Sequence, residues 1–207
     1  MNDRTDWDLY YRTSPITTRW SRPIIFGALL KALQCHSVPN PVLAELGGAG
    51  SRVFDKVAKA MEPATYYVVD TNQFGLDLLR GRVPRANVHF VNQDVRQIDL
   101  PVEVDTVFSL GLIEHFDLAG TRAAVRAHLK ALKPGGIAII SFPTPTFLYR
   151  ATRHLAEAMG KWIFHDERPL WAEEVADAIA GEARVLSHRI LWPMILTQSL
   201  MVVRKNG

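Results

Sequence analysis

One cysteine, Cys35, stands in a chain of 207 residues, which excludes an internal disulfide and a zinc site built on thiolates. Charge of a single sign is also scarce. The 24 Lys and Arg and the 21 Asp and Glu leave a net charge of +3. The arginines are scattered rather than gathered in a stripe, so nucleic acid is not an expected partner. Long apolar runs are missing as well. The two longest uncharged stretches, after Lys133 and after Arg189, are broken by Pro143, Pro145 and Pro193, which leaves nothing to span a bilayer. The first residues, Met-Asn-Asp-Arg-Thr-Asp-Trp-Asp, are acidic and polar where a signal peptide is basic and then apolar. There is no repeat and no low-complexity tract. These absences predict a cytoplasmic protein with no membrane partner. The 48% apolar content supplies one full-sized core, hence a single domain over 1–207.

What is present starts at 42–50, Val-Leu-Ala-Glu-Leu-Gly-Gly-Ala-Gly. A short apolar run carries one acid, Glu45, and breaks into glycines; a helical pattern follows through Val53, Phe54, Val57, Ala58 and Met61. That is strand, tight turn, helix. Glycines let a ligand approach the backbone, and the helix N-terminus adds free N–H groups and a positive dipole end.

Strands are predicted at 42–46, 65–70, 87–91, 104–109 and 136–142, and helices at 23–33, 51–61, 73–81, 118–132 and 146–163. Glu173 and Glu174 open one more helix, and 184–192 and 197–204 read as a final pair of strands. Runs such as Tyr66-Tyr67-Val68-Val69 and Ile137-Ala138-Ile139-Ile140 are continuously apolar. Such strands are buried on both faces, so the expected fold is α/β, a doubly wound, mostly parallel sheet with an extra N-terminal helix.

Open α/β sheets bind ligands beyond the carboxyl ends of their strands. There lie Asp70, followed by Thr71 and Asn72, and Asp94, followed by Val95. Asp70, one βαβ unit after the glycine loop, is placed for ribose hydroxyls. Asp94 can accept from an exocyclic amine such as that of adenine.

The ordered set Glu45-Leu-Gly-Gly-Ala-Gly, Asp70, Asp94, Asp105 followed by Leu-Ile-Glu-His115-Phe, and Leu-Lys-Pro-Gly-Gly136 resembles the class I S-adenosylmethionine-dependent methyltransferases over about residues 40–145. The resemblance implies a seven-stranded sheet closed by the terminal hairpin at 184–204, and S-adenosylmethionine as cofactor. It implies that Glu45, Gly47, Gly48, Ala49 and Gly50 line the methionine half. Asp70 would hold the ribose with Thr71 and Asn72 beside it, Asp94 and Val95 would frame the adenine, and Leu110 and Gly111 would pass near the sulfonium. The family's common loop has glycine where this chain has Ala49 and Ser51, which predicts altered loop detail.

The expected reaction is transfer of the methyl group to oxygen or nitrogen of a small-molecule substrate, with no metal. The alternative is a catalytically inactive, cofactor-binding partner subunit of the same fold. His115 is the candidate base. Substrate contacts are expected from the N-terminal lid, 1–38, through Tyr10, Tyr11 and Arg19, and from the segment 146–183 through Arg150, Arg153 and His165. Those cations suit an anionic or sugar-bearing substrate. No Asn/Asp-Pro-Pro-Tyr/Phe follows the fourth strand, which argues against base amino groups as acceptors. A nicotinamide fingerprint starting at Gly48 would need glycine where Val53 stands.

Overall fold

The continuous apolar runs form the middle of one seven-stranded sheet. A computed structural model describes residues 5–13, 18–83, 86–162, 164–191 and 197–207, without the side chains of 13 and 18–21. The strands are β1 (Val42–Leu46), β2 (Thr65–Asp70), β3 (Val88–Asn92), β4 (Val104–Leu110), β5 (Leu132–Pro143), β6 (Ala183–Leu191) and β7 (Gln198–Lys205). Their order is β3-β2-β1-β4-β5-β7-β6. The pairings from β3 through β5 are parallel, and β7 runs antiparallel to both β5 and β6. The helices are α1 (Trp7–Thr13), α2 (Thr18–His36), α3 (Phe54–Met61), α4 (Gln73–Arg82), α5 (Leu118–Ala131), α6 (Phe147–Ala158) and α7 (Ala172–Ala178).

Alternation along each strand feeds two cores. Tyr66 and Val68 of β2, with Ile137 and Ile139 of β5, pack on the side of α2 and α3. Tyr67 and Val69, with Ala138 and Ile140, pack on the side of α5 and α7. Helix α3 buries Phe54, Val57, Ala58 and Met61, an i, i+3, i+4, i+7 stripe. Side-chain caps fix where helices start beyond the strands. Asn72 accepts the Gly75 N–H at 2.6 Å, Asp117 the Gly120 N–H at 2.7 Å, and Thr146 the Tyr149 N–H at 3.3 Å. Each such cap contributes ~1 kcal/mol. Together they turn the chain back along the sheet and leave its carboxyl edge open.

Strand β5 begins at Leu132, four residues before the expected 136, and the helices differ from expectation in four places. The N-terminal helix begins at Thr18 and carries Pro23 inside it, in the second turn, where the missing N–H removes one intrahelical hydrogen bond. A separate α1 precedes it. Helix α3 starts at Phe54 rather than 51, because Ser51 is tied to Glu45 in the loop. Helix α6 stops at Ala158, since Gly160 adopts φ +63° and ends the helix. Trp162 is therefore released from the helix, and Leu155 and Met159 are exposed.

Candidate active site

Between β1 and β4 the sheet changes its direction of winding, and the loop after β1 opens into a cavity of about 880 Å³. This is near the top of the ~300–1,000 Å³ range of small-molecule sites. The loop is held from both sides. The Gly47 N–H donates to the Val69 carbonyl at 2.8 Å, and Gly47 and Gly50 take left-handed φ values of +72° and +61°. A Cβ on Gly50 would stand 2.8 Å from the Tyr11 ring. Below the loop, the Ser51 hydroxyl donates to Glu45 Oε1 at 2.7 Å and the Tyr66 hydroxyl to Oε2 at 2.8 Å. The Phe54 N–H donates in turn to Ser51 Oγ at 3.2 Å. Burial drives the Glu45 carboxyl up to about 7 in spite of those two donors.

The two departures from glycine are accommodated. Ser51 becomes the brace just described. The methyl of Ala49 fills the space over Gly75, where a Cβ would approach it to 2.7 Å. Asp70 sits at the end of β2 with Oδ2 accepting the Ala49 N–H at 3.0 Å and Oδ1 the Asn72 N–H at 2.8 Å. Burial raises its carboxyl, and these backbone donors partly offset the rise.

The cavity wall includes Glu45, Gly47, Ala49, Gly50, Asp70, Thr71, Asn72, Leu110 and Gly111 from the expected cofactor set. Three expected residues lie outside it. Gly48 faces the sheet, against Val68 and the Glu45 stem. Val95 is buried in the α5-side core. The Asp94 carboxylate is taken by the Arg96 guanidinium, which contacts it at 2.5–3.1 Å, and Arg96 itself lines the cavity.

On the acceptor side the correction is larger. Tyr10, Tyr11 and His115 line the cavity, and the Arg19 side chain lies outside the described residues. Arg150 and His165 are exposed and away from the wall, and Arg153 pairs with Glu157 at 2.7 Å. Acids and rings, with Lys161 beside them, make up this side of the wall. His115 Nδ1 lies 3.1 Å from Asp166, and Asp166 also accepts from the Thr5 hydroxyl. Burial opposes charge on Asp166, yet those bonds hold its carboxyl down at about 2. Burial likewise opposes charge on His115, but Asp166, Glu114 and Glu167 outweigh it and raise its pKa. Burial drives Glu114 up to about 8, and raises Glu167, to which the Tyr149 hydroxyl donates.

The Trp7 ring meets His115 edge-on at 4.8 Å, and Phe164 stands 5.9 Å from it. Helix α1 is held across this opening by Asp8, which accepts from Asn72 Nδ2 at 2.7 Å, and by Arg12 above the Phe74 ring. The sequence signal for the acids was present in Leu-Ile-Glu-His-Phe and in the segment 146–183. Only the histidine and the cations were drawn from them.

A parallel sheet with this strand order, a reversed β7 and a cavity over the ends of β1, β2 and β4 defines a class I methyltransferase fold. Residues 43–136 match the family described as methyltransferase domain. No curated protein matches the chain in sequence. Among solved structures, the magnesium protoporphyrin IX methyltransferase from Synechocystis, with bound S-adenosylhomocysteine, is similar over 97% of this chain and 93% of its own. Its identity is 13% and its TM-score 0.75. The N-methyltransferase NodS from Bradyrhizobium japonicum, also with S-adenosylhomocysteine, is similar over 90% and 88%, with 16% identity and a TM-score of 0.68. A didemethyltoxoflavin N-methyltransferase from Burkholderia thailandensis covers 98% and 86% at 17% identity and a TM-score of 0.70. Its structure holds S-adenosylhomocysteine and 1,6-didemethyltoxoflavin. Among the described residues no helix is long and apolar enough to cross a membrane.

Proposed function

We propose that the protein is a cytoplasmic S-adenosylmethionine-dependent methyltransferase acting on oxygen or nitrogen of a small molecule. It works as one domain: 1–38 covers the site, 40–145 binds the cofactor, 146–183 faces the acceptor and 184–204 closes the sheet. The observation that carries this reading is Asp70, buried beside the glycine loop in a cavity that also holds Glu114, His115 and Glu167. Structures similar to this one hold S-adenosylhomocysteine.

S-adenosylmethionine, when bound, supplies a methyl group already activated on a sulfonium. The chain's residues bind, orient and exclude water. Each Asp70 oxygen uses one lone pair on a backbone N–H and keeps another for a ribose hydroxyl. Gly47, Ala49 and Gly50 present backbone rather than bulk. Arg22 and Arg52 share the cavity wall, and burial, then repulsion from Arg22, disfavours the charge on Arg52. An anion between them relieves that repulsion, which suits the amino-acid carboxylate. Leu110 and Gly111 would lie beside the sulfonium, and Trp7 and Phe164, on the same cavity wall, would exclude water from it. With Nδ1 on Asp166, His115 keeps Nε2 for a proton from the acceptor. Ala49 and Ser51, the grounds for an inactive partner subunit, each have a packing role and give no sign of a loop without a ligand.

Calorimetric titration with S-adenosylmethionine, S-adenosylhomocysteine and NAD tests the reading. Micromolar binding of the first two, weakened at least ~10-fold in Asp70→Ala by loss of charged hydrogen bonds, is expected. Binding of NAD alone would overturn it.

A further inference from the structure

Within the proposed methyl transfer, we propose that the acceptor is a primary or secondary amine. It is seated as its ammonium ion against Glu114 and Glu167 and enclosed by Trp7, Tyr10 and Phe164. The inference rests on the methyltransferase reading and adds the chemistry of the substrate.

The first observation is an unpartnered acceptor. Glu114 is 2% exposed, lines the cavity, and its Oε2 has no hydrogen-bond partner among the described residues. A buried acceptor left empty is costly, and a ligand that brings an N–H there recovers the cost. The second is that Glu114 has no Lys or Arg ion pair among the described residues: Arg168 is committed to Glu174 at 2.6 Å and Arg153 to Glu157 at 2.7 Å, and the nearest charge of opposite sign is that of His115. That leaves Glu114 open to a donor brought by the ligand.

The third observation is spacing. Ligating atoms of Glu114, His115 and Glu167 lie within 4.8 Å of one another. Acceptors around a tetrahedral nitrogen at hydrogen-bond lengths of ~2.8 Å stand ~4.6 Å apart, so one ammonium fits among atoms this close. An alcohol offers one hydrogen to this set of acceptors; an ammonium offers two or three. The fourth is the aromatic wall. Trp7 and Phe164 flank the imidazole at 4.8 and 5.9 Å, and Tyr10 packs on Phe164 at 5.6 Å, surfaces that attract a cation and its alkyl groups. The cations expected to hold an anionic substrate, Arg150, Arg153 and His165, all lie off the wall.

The step balances on these residues. For this acceptor Glu114, rather than His115, takes the proton: the ammonium nitrogen gives one proton to the Glu114 carboxylate, and the freed lone pair forms the bond to the methyl carbon. The carbon–sulfur bond breaks with its electron pair left on sulfur. The product departs as the N-methylammonium, carrying the charge lost by the sulfonium, and Glu114 returns its proton to solvent.

The test is a calorimetric panel of small amines, each paired with its alcohol: benzylamine with benzyl alcohol, N-methylbenzylamine with the same alcohol, and tyramine with tyrosol. It is run with and without S-adenosylhomocysteine, with zinc chloride as a further ligand. The expected result is that at least one amine binds at least ~10-fold more tightly than its alcohol, and that Glu114→Gln and Glu167→Gln each remove this preference while keeping wild-type circular dichroism. Alcohols binding as well as amines, preference unchanged in both variants, or zinc binding that excludes every amine would each overturn the proposal. Failure of S-adenosylhomocysteine alone would bring down the methyltransferase reading, and amine preference would then survive as a separate finding.

Discussion

Ala49 and Gly75 share room for a single methyl group, which makes their exchange a sharp test of how the cofactor loop is packed. A Cβ on Gly75 would stand 2.7 Å from the Ala49 methyl and 2.9 Å from the Tyr11 ring. Gly75 lies in the first turn of α4, where alanine would ordinarily gain ~0.5–1 kcal/mol over glycine. Forcing a methyl group into a filled site costs ~1–3 kcal/mol, so Gly75→Ala should be destabilising by a net ~0.5–2 kcal/mol. Ala49→Gly alone should cost ~1–2 kcal/mol, from one buried methyl group and a more flexible loop. In the double variant the new methyl occupies the space vacated by the old. Its stability should exceed the sum of the two single changes by ~1–2 kcal/mol, read from urea unfolding as a double-mutant cycle. Additivity within ~0.5 kcal/mol, or a Gly75→Ala variant more stable than wild type, would refute the packing argument.

Three further outcomes are expected. The Glu45 carboxyl is raised from 4.5 to about 7, so the folded state keeps a proton that the unfolded chain has lost. Stability should fall as pH rises from 4.5 through 7, and urea midpoints for Glu45→Gln should show a flatter fall. His128 has the opposite sign: burial holds it down at about 4, between the Ala124 carbonyl and the Ser109 hydroxyl. Stability present above pH 6.5 should be lost as pH falls through 4, and His128→Gln should flatten that acid limb while costing ~1–3 kcal/mol at pH 7. Tyr66→Phe keeps the ring stacked on Phe54 at 4.6 Å but removes the donor to Glu45 Oε2. A loss of ~1–3 kcal/mol is expected, seen as a thermal midpoint lower by several degrees.

The cofactor half of the site was legible because its signals are local. The apolar runs of β1, β2 and β5, the break into glycines after Leu46 and the acid ending β2 each fall within a few residues, where strand burial and turn chemistry operate. Boundaries were less legible where a side chain outbid the periodic pattern. Ser51 reaches back to Glu45 and delays α3, and Gly160 ends α6 before Trp162. Asp94 was placed correctly on the chain, but the guanidinium two residues later takes its carboxylate, a competition that spacing does not announce.

The acceptor half was decided by the tertiary structure. Trp7, Glu114 with His115, and Phe164 to Glu167 come from three segments separated by about fifty residues or more, and they meet only because α1 crosses the carboxyl edge of the sheet. The sequence alone determined that a glycine loop follows β1 and an acid ends β2, at the carboxyl edge of a mostly parallel sheet. It could not show whether the opposite wall presents cations or acids, because Arg153 and Glu167 lie in the same segment. Which of them faces the cavity depends on where α6 ends and on how the chain after it folds back.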